Sequence, residues 1–315
     1  MSSEQSTALS PSSEPAVPAL DFRRVRSVME TPILDERKWS KLPAIPADAF
    51  IIDLEDSVVP AAKEAARQRA MRYLADPDFF GDRLVLARPN NLATDWGRDD
   101  IIALAEANVR LMLYPKARSA DELLEVRELL AAHGAHPLLF PIVETAGAIL
   151  DLRAVARVPG LGGLFTGIGD LSVDAGVGFR DAGGGISHVL DHAREQVVLA
   201  AAAAGVSSTD TVYATDIKDP EAVRVAIADG RGKGFTSLVT FYPPHVPLIN
   251  ELLTPSEREL AAARELVGAY EEAQAAGRPA LIMPDGRTVL LLDYARAQRL
   301  LARAEAGVPT AGDVR

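Results

Sequence analysis

The chain has 315 residues, with 33 basic and 44 acidic side chains, and a formal net charge of −11. This acidic balance argues against general nucleic-acid binding, which needs a basic face. The hydrophobic fraction of 48% is typical of globular proteins, and no run approaches the ~18 apolar residues of a membrane-spanning helix. The absence of cysteine excludes disulfides, thiolate metal sites and a cysteine nucleophile, and it fits a reducing cytoplasm, where we expect the protein.

The pattern of the chain divides it into four segments. Residues 1–20 are rich in Ser, Pro, Glu and Ala without any period, which predicts a disordered tail rather than a secretory signal. Residues 21–250 alternate short apolar runs with helical stretches and are predicted to form the catalytic domain. Residues 251–307 are predicted to form a lid or oligomerisation extension, and residues 308–315 a frayed tail.

The alternation within the catalytic domain predicts an α/β fold, a (β/α)8 TIM barrel. Several of the apolar runs are continuous, as expected for strands that are buried on both faces. A doubly wound open sheet is the alternative, but the first strand lacks the Gly-rich turn typical of that fold. The predicted strands are residues 25–29, 50–54, 84–87, 111–114, 138–143, 163–166, 211–215 and 237–241.

The extension after the eighth strand is predicted to be a helix, a β-hairpin and a second helix. The first helix runs from about residue 255 to 276, after a Ser that can cap it. The hairpin is predicted over residues 280–292 with a turn at Pro284-Asp285-Gly286, and the last helix over residues 294–306. The extension is too short for a core of its own, so it is expected to pack on the barrel or on a neighbouring subunit.

Charged side chains follow most of the predicted strands, at the end of the barrel where active sites lie. Acidic residues there could simply cap the next helix, but a cap does not explain Arg88 or Lys116, because positive charge is unfavourable at a helix N-terminus. The whole set therefore predicts an active site on this rim. Its members are Asp53, Glu55, Asp56, Arg88, Lys116, Glu144, Asp170 and Asp216.

Glu144 and Asp170 are the best candidates for metal ligands in this set. They follow adjacent strands, so both carboxylates can reach one small space. Mg²⁺ prefers oxygen ligands and often takes only one or two protein carboxylates, and Mn²⁺ is a possible substitute. The spacing alone leaves a metal site and two unrelated loop carboxylates equally open. His188 and His192 have the spacing of a zinc pair, but a polar helix face is the favoured interpretation.

Short motifs also occur at several of the strand ends. They are Asp53-Leu54-Glu55-Asp56-Ser57-Val58, Arg88 with Asn90, Pro115-Lys116, Glu144-Thr145-Ala146-Gly147, Gly169-Asp170-Leu171, Asp210-Thr211-Val212-Tyr213 and the late Asp293. Together they resemble the HpcH/HpaI aldolase and citrate lyase beta-subunit-like family, and the resemblance covers about residues 22–305.

The resemblance implies a barrel that assembles as a homotrimer or hexamer. It implies a Mg²⁺-dependent lyase that breaks a carbon–carbon bond in a 3-hydroxyacyl-CoA thioester such as malyl-CoA or citramalyl-CoA. Glu144 and Asp170 would hold the metal, and Arg88 would stabilise the thioester enolate. Asp293, on the lid, would reach a neighbouring subunit as acid or base. A catalytic role is also predicted for Asp56, within the first motif.

The sequence departs from the family pattern at the eighth strand, where Tyr242 stands among the residues expected to contact CoA. Arg26, Lys38 and Tyr242 are predicted to bind the acyl-CoA; for the basic pair, ordinary surface charge is the alternative. The departure leaves a carrier-bound acyl group or a free acid open. Alternative functions are an acyl-CoA thioesterase on the same scaffold, an aldolase for a free 2-oxo acid and a non-catalytic homologue. An aldolase that forms a Schiff base on Lys116 is a less favoured alternative. Membrane and nucleic-acid partners are not expected.

Overall fold

The computed structural model describes residues 20–278, 281–283, 286 and 288–314. Eight parallel strands close into a barrel in chain order, with β1 pairing with both β2 and β8. This confirms the predicted (β/α)8 fold. The strands are β1 (Ser27–Pro32), β2 (Ala49–Asp53), β3 (Leu84–Arg88), β4 (Leu111–Tyr114), β5 (Leu138–Val143), β6 (Gly163–Thr166), β7 (Ser207–Thr211) and β8 (Ser237–Thr240).

Helices surround the barrel and join successive strands. Those of the barrel are α1 (Glu36–Trp39), α2 (Lys63–Leu74), α3 (Pro77–Phe80), α4 (Gly97–Glu106), α5 (Ala120–Ala132), α6 (Ala146–Leu150), α7 (Leu152–Val155), α8 (Ile168–Asp174), α9 (His188–Ala204), α10 (Pro220–Lys233) and α11 (His245–Leu253). The longest barrel helix, α9, ends at Gly205, whose φ of 72° is the left-handed conformation that glycine adopts without strain.

The inward faces of the strands form a buried apolar layer inside the barrel. Val28, Ile51, Leu86 and Ile142 belong to this layer. Side chains of a strand alternate between its two faces, so the residue two positions later on each strand also points inward, one level closer to the carboxyl rim. Those residues are Glu30, Asp53, Arg88 and Glu144. The alternation that fills the core therefore also points these charged side chains toward the mouth of the barrel, which is its opening at the carboxyl ends of the strands.

The prediction for β7 is wrong by four residues. The predicted strand, 211–215, follows the apolar residues, whereas the observed strand is built from Ser207, Ser208, Thr209 and Asp210, all of them buried. Hydrogen bonds to other parts of the barrel satisfy these side chains, for example from Ser207 Oγ to the carbonyl of Gly162, just before β6, at 3.1 Å. A search for apolar residues misses such a strand. As a result Asp216 does not end β7 but lies exposed in the loop beyond it.

The extension contains α12 (Glu257–Ala275), the strands β9 (Leu281–Ile282) and β10 (Thr288–Val289), which pair antiparallel, and α13 (Leu291–Glu305). Helix–hairpin–helix is thus the observed order, although α13 begins three residues before its predicted start. Ser256 and Glu259 form a capping box at the start of α12. Arg303 Nη2 donates to the Thr236 carbonyl at 3.1 Å, which ties the end of α13 to the loop that precedes β8, at the amino end of the barrel.

The two predicted tails lie at the ends of the chain, at residues 1–20 and 308–315. Residues 1–19, which hold almost all of the predicted disordered tail, lie outside the described residues. Residues 308–314, for which fraying is predicted, make contacts with the barrel. Ala311–Asp313 form a 3-10 turn, and the Ala311 N–H donates to the Asp82 carbonyl at 2.8 Å, because Val314 packs on the core at the amino end of the barrel. Within the described part of the chain, no helix combines the length and the apolarity that crossing a bilayer requires.

Candidate active site

A cavity of about 220 Å³ opens at the carboxyl ends of the strands. Apolar residues of the barrel interior, among them Ile51, Ile142 and Phe165, form its floor. Polar groups stand around its upper wall. They are Glu30, Arg88, Glu144, Thr166, Asp170, Thr211 and Tyr213. The cavity thus combines an apolar base with a ring of charges, which is the usual character of a small-molecule site.

Arg88 is held at the mouth by three carboxylates. Its Nη2 lies 2.6 Å from Glu30 Oε1 and its Nε lies 2.5 Å from Asp53 Oδ1. Glu55 Oε2 is 3.6 Å from the same Nε. All three carboxylates are buried, so the guanidinium is a fixed positive charge in a site that excludes most water. Such a charge can stabilise an anion that develops on a bound substrate.

Burial raises the pKa of Glu30 to about 7, because the charge of Arg88 only partly compensates for the lost hydration and for the neighbouring Asp53. Asp53 differs, although burial also acts to raise its pKa. The charge and hydrogen bond of Arg88, with backbone N–H groups of Ser57 and Glu55, outweigh that effect and hold the pKa of Asp53 below its usual range. Asp53 is therefore the more acidic of these two carboxyl groups.

Lys116 connects the carboxylates on the other side of the mouth. Its Nζ lies 2.6 Å from Glu55 Oε1, 2.9 Å from Asp56 Oδ1 and 3.9 Å from Asp170 Oδ1. Burial lowers the pKa of Lys116, but hydrogen bonds and charges from Glu55 and Asp56 outweigh it and raise the pKa well above the ordinary value. A Schiff base needs a neutral amine, so these contacts count against the Schiff-base alternative.

The backbone of Lys116 positions Glu144. Lys116 has a φ of 50°, which is uncommon for a residue other than glycine, and its N–H donates to Glu144 Oε1 at 2.6 Å. On the opposite side Gly167 leaves room for the carboxylate. A Cβ atom at Gly167 would lie 2.2 Å from Glu144 Oε2, so any larger residue would displace it. These two local features fix one carboxylate oxygen and direct the group into the cavity.

Glu144 and Asp170 line the same cavity, and the two carboxylates fit a divalent cation. Burial raises the pKa of Glu144 to about 8, and the charges of Glu55 and Asp170 add to this effect. A cation between the two groups would offset that repulsion. Among the described residues no group of three or more His, Cys, Asp or Glu is arranged to hold a metal. A Mg²⁺ ion held here would therefore take its remaining ligands from water and substrate, as Mg²⁺ commonly does.

The turn after β2 is stabilised by hydrogen bonds from the side chain of Lys63. The Nζ of Lys63 donates to the carbonyls of Leu54 and Glu55 at 2.9 and 2.8 Å and to Asn90 Oδ1 at 2.6 Å. Asn90 in turn donates to Asp100 Oδ2 at 2.6 Å. This buried network holds the loop that carries Glu55 and Asp56, so Lys63 and Asn90 act on the shape of the site.

The structure separates the three residues predicted to bind acyl-CoA. Arg26 precedes β1 at the amino end of the barrel, away from the mouth, and pairs there with Asp48 at 2.8 Å; its role in binding acyl-CoA stays a prediction. Lys38 lies exposed on α1, after the carboxyl end of β1, and pairs with Asp35. Tyr242 follows β8, and its ring packs edge-on against His245 at 5.1 Å. Lys38 and Tyr242 remain predictions.

His245 has a structural role at the rim. It is buried, and its ring nitrogens contact Thr240 Oγ1 at 2.9 Å and the Ile217 carbonyl at 2.8 Å. The ring thereby joins the end of β8 to the loop after β7.

Asp293 lies far along the chain, in the first turn of α13, where its Oδ2 accepts from the Leu290 N–H at 3.0 Å. It is not among the described residues that line the cavity of its own barrel.

Four polar residues of the cavity wall are absent from the predicted site: Glu30, Thr166, Thr211 and Tyr213. Glu30 was placed after a strand predicted to end at Met29, whereas β1 continues to Pro32. Its position two residues after the inward-facing Val28 is the signal that could have found it. Tyr213 was assigned to the interior of β7, which in fact ends before it.

Comparison with known proteins agrees with this geometry. The sequence model of the family described as HpcH/HpaI aldolase/citrate lyase matches residues 26–243. A (3S)-malyl-CoA thioesterase of Cereibacter sphaeroides is 33% identical over 281 residues, covering 89% of this chain and 95% of that protein. The mitochondrial citramalyl-CoA lyase of Homo sapiens is 30% identical over 271 residues, covering 81% and 78% of the two chains.

Among solved structures, CitE of Mycobacterium tuberculosis in complex with magnesium, acetoacetate and coenzyme A has a TM-score of 0.75 at 28% identity. The match covers 90% of this chain and 99% of that one. Fold and rim together define a (β/α)8-barrel protein with charged side chains converging on one mouth. The chain belongs to the HpcH/HpaI aldolase/citrate lyase family, which confirms the predicted resemblance.

Proposed function

We propose that the protein is a Mg²⁺-dependent carbon–carbon lyase. Its substrate would be a 3-hydroxyacyl-CoA thioester such as malyl-CoA or citramalyl-CoA, and its products a 2-oxo acid and an acyl-CoA. The observation that carries the proposal is the cavity itself, in which two carboxylates, Glu144 and Asp170, share a small space with the buried guanidinium of Arg88. Relatives named citramalyl-CoA lyase and a CitE complex with magnesium and coenzyme A support it.

The residues of the cavity suit this reaction. Glu144 and Asp170 would hold Mg²⁺, which when bound lowers the pKa of a coordinated hydroxyl group and polarises a carbonyl. Arg88 would stabilise the negative charge on the thioester oxygen as the carbon–carbon bond breaks, since its own position is fixed by Glu30 and Asp53. The apolar floor excludes water beneath the reacting carbon atoms, which strengthens these charge interactions.

A thioesterase is the second candidate, because the Cereibacter sphaeroides relative carries that name. The same residues could serve it, with water attacking the thioester carbonyl and Arg88 stabilising the resulting oxyanion. The two reactions differ in the bond that breaks, a carbon–carbon bond in one and a carbon–sulfur bond in the other. They therefore differ in products, and product analysis separates them.

The test is incubation of the purified protein with malyl-CoA or citramalyl-CoA and Mg²⁺, followed by separation of the products. We expect acetyl-CoA with glyoxylate or pyruvate, in equal amounts. Free CoA with malate or citramalate would instead identify a thioesterase. Acetyl-CoA followed by slow release of CoA would indicate lyase activity with later hydrolysis. If neither thioester changes, both candidates are wrong.

We also propose that Asp293 acts as acid or base in the site of a neighbouring subunit, within a trimer or hexamer. Asp293 lies beside the hairpin of the extension, and apolar side chains near it are exposed in the single chain, as an intersubunit contact would require. These are Ile282, Leu290, Leu291 and Leu292. A neighbouring barrel is thus the candidate for the surface that covers them.

A complementation experiment tests the shared site. Asp293→Asn and Glu144→Gln are each expected to be inactive, since each removes one half of the machinery. When the two variants are coexpressed, a mixed oligomer contains some sites with an intact rim from one subunit and an intact Asp293 from the other. We expect roughly a quarter of the wild-type activity to return. A fully active monomer, or an oligomer without any recovery, would show that Asp293 does not act across subunits.

A further inference from the structure

A second cavity lies beside the active-site cavity, and one residue forms part of the wall of both. The second cavity has a volume of about 480 Å³ and is bordered by α9, α10 and the loop before α9. Tyr213 lines it on one side and lines the active-site cavity on the other. Its lining combines aliphatic side chains, among them Ile186 and Val225, with the charged side chains of Arg180, Asp191, Arg194 and Asp229.

Contacts on several sides hold Tyr213 in place. Its Oη accepts a hydrogen bond from the N–H of Ile168 at 3.3 Å, at the start of α8, the helix that carries Asp170. Its ring meets the ring of Phe179 in a T-shaped contact at 5.6 Å. The guanidinium of Arg194 lies 5.8 Å from the ring centre. The tyrosine is therefore a wall with little freedom to swing aside.

Arg194, which contacts the Tyr213 ring, is itself held in place, and this further limits the movement of the ring. Its side chain is buried between three carboxylates, Asp210 at 2.6 Å, Asp191 at 2.7 Å and Asp229 at 2.9 Å. Asp210 is part of β7 and also accepts from the Thr166 hydroxyl, which lines the active-site cavity. The network thus anchors Tyr213, β7 and the cavity wall as one unit.

The active-site cavity is small for a ligand site. Pockets for drug-sized ligands measure about 300–1,000 Å³, whereas this one measures about 220 Å³. Asp170 and Gly169 share the wall with Tyr213, so a group attached to the carbon atom nearest the two carboxylates would face the ring. A substituent longer than one or two carbon atoms would meet the ring before it could be accommodated.

We infer that Tyr213 is a specificity-determining residue that restricts the hydroxyl-bearing carbon of the substrate to small substituents, by separating the active-site cavity from the second cavity behind it. The inference rests on the proposed function and narrows its substrate class to short, compact hydroxy acids. Replacing the ring with a small side chain would join the two cavities and admit an alkyl chain.

The test compares thioesters that differ only in the substituent on the hydroxyl-bearing carbon: hydrogen, methyl and propyl. For the wild type we expect kcat/KM for the propyl thioester to be at least about tenfold lower than for the methyl thioester, the usual effect of an ill-fitting methylene group. Tyr213→Ala is expected to lose this preference, so that its ratio of propyl to methyl kcat/KM rises at least ~10-fold. An unchanged ratio in Tyr213→Ala would overturn the inference.

Two further variants and one binding measurement keep the test decisive. Tyr213→Phe retains the ring and loses only the hydrogen bond to Ile168, so it should keep the wild-type ratio; a Phe variant that accepts the propyl substrate would contradict a role for the ring. Tyr213→Leu, with an intermediate volume, serves if the Ala variant does not fold.

Calorimetric titration of glyoxylate, pyruvate and 2-oxopentanoate with Mg²⁺ provides a readout without turnover. If the wild type cleaves no thioester, the proposed function fails. Tighter binding of 2-oxopentanoate by Tyr213→Ala than by the wild type would still support the inference that the Tyr213 ring limits the cavity. Equal binding by both proteins would overturn that inference.

Discussion

Replacing Glu144 with glutamine is expected to lower kcat/KM at least ~100-fold while leaving the fold intact, and Asp170→Asn is expected to do the same. Each change removes a charged oxygen donor from the pair that would hold Mg²⁺, and loss even of residues that only support a metal ligand commonly costs 10- to 100-fold. Both substitutions keep the shape of the side chain, and Glu144→Gln keeps an oxygen that can accept from the Lys116 N–H. The measurements are kcat/KM at saturating Mg²⁺ and Mg²⁺ affinity by calorimetry.

Asp174→Asn is the matched control for this pair. Asp174 lies one turn after Asp170 on α8, is exposed, and accepts from the Ala146 N–H at 2.7 Å, a contact that an asparagine oxygen can preserve. This variant should retain both Mg²⁺ affinity and turnover. Near-normal activity in Glu144→Gln or Asp170→Asn would place the metal elsewhere.

Arg88→Ala is expected to abolish turnover and to lower the free energy of unfolding by about 3–5 kcal/mol, the usual cost of leaving buried ionic partners unpaired. The partners left behind are Glu30, Asp53 and Glu55. Denaturant unfolding followed by circular dichroism measures the stability change, and kcat/KM at low temperature, where the variant remains folded, measures the catalytic one. Arg88→Lys should lose less stability, since it keeps the charge but not the forked geometry.

The stability loss in Arg88→Ala should be smaller at pH 5 than at pH 8. The pKa of Glu30 in the folded protein, about 7, lies above its ordinary value of 4.5. Such a group favours the folded state fully below about pH 4.5, and that contribution is lost as the pH rises through about 7. Arg88 acts to lower this pKa, so its removal raises the pKa further and increases the loss at high pH. Removal of Arg88 raises the pKa of Asp53 for the same reason.

Arg67→Ala is the control for these effects. Arg67 has nearly the same exposure as Arg88, 14% against 12%, and also pairs with three carboxylates, those of Glu64, Asp99 and Asp100. It lies outside the described lining of the active-site cavity. Arg67→Ala should lose stability but keep kcat/KM when folded. If Arg88→Ala also keeps its kcat/KM, the guanidinium has no role in the reaction.

Much of the candidate site could be found from the sequence alone. Arg88, Lys116, Glu144 and Asp170 were predicted to share one rim, and the structure brings them around one cavity or into contact with its residues. The prediction succeeds because strand ends in a barrel are close in space whatever their separation in the chain. The metal itself and the roles of Asp56 and Asp293 remain predictions.

The failures have a common physical cause. The position of Arg26 is not evident from the sequence, because only the direction of β1 in the closed barrel puts this side chain at the amino end, beside Asp48. The start of β7 was missed because its buried polar side chains depend on partners in other strands. Both features depend on contacts between distant parts of the chain, which local composition does not reveal.

The sequence by itself determined the barrel, because eight apolar runs alternating with helical stretches can bury both faces of their strands in few other ways. It also placed several of the rim charges, among them Arg88, Glu144 and Asp170. Only the tertiary structure decided how those charges are paired, that Glu30 completes the cluster around Arg88, and that Tyr213 divides two cavities. These properties arise from distances between side chains on different strands and helices, and such distances exist only once the barrel has closed.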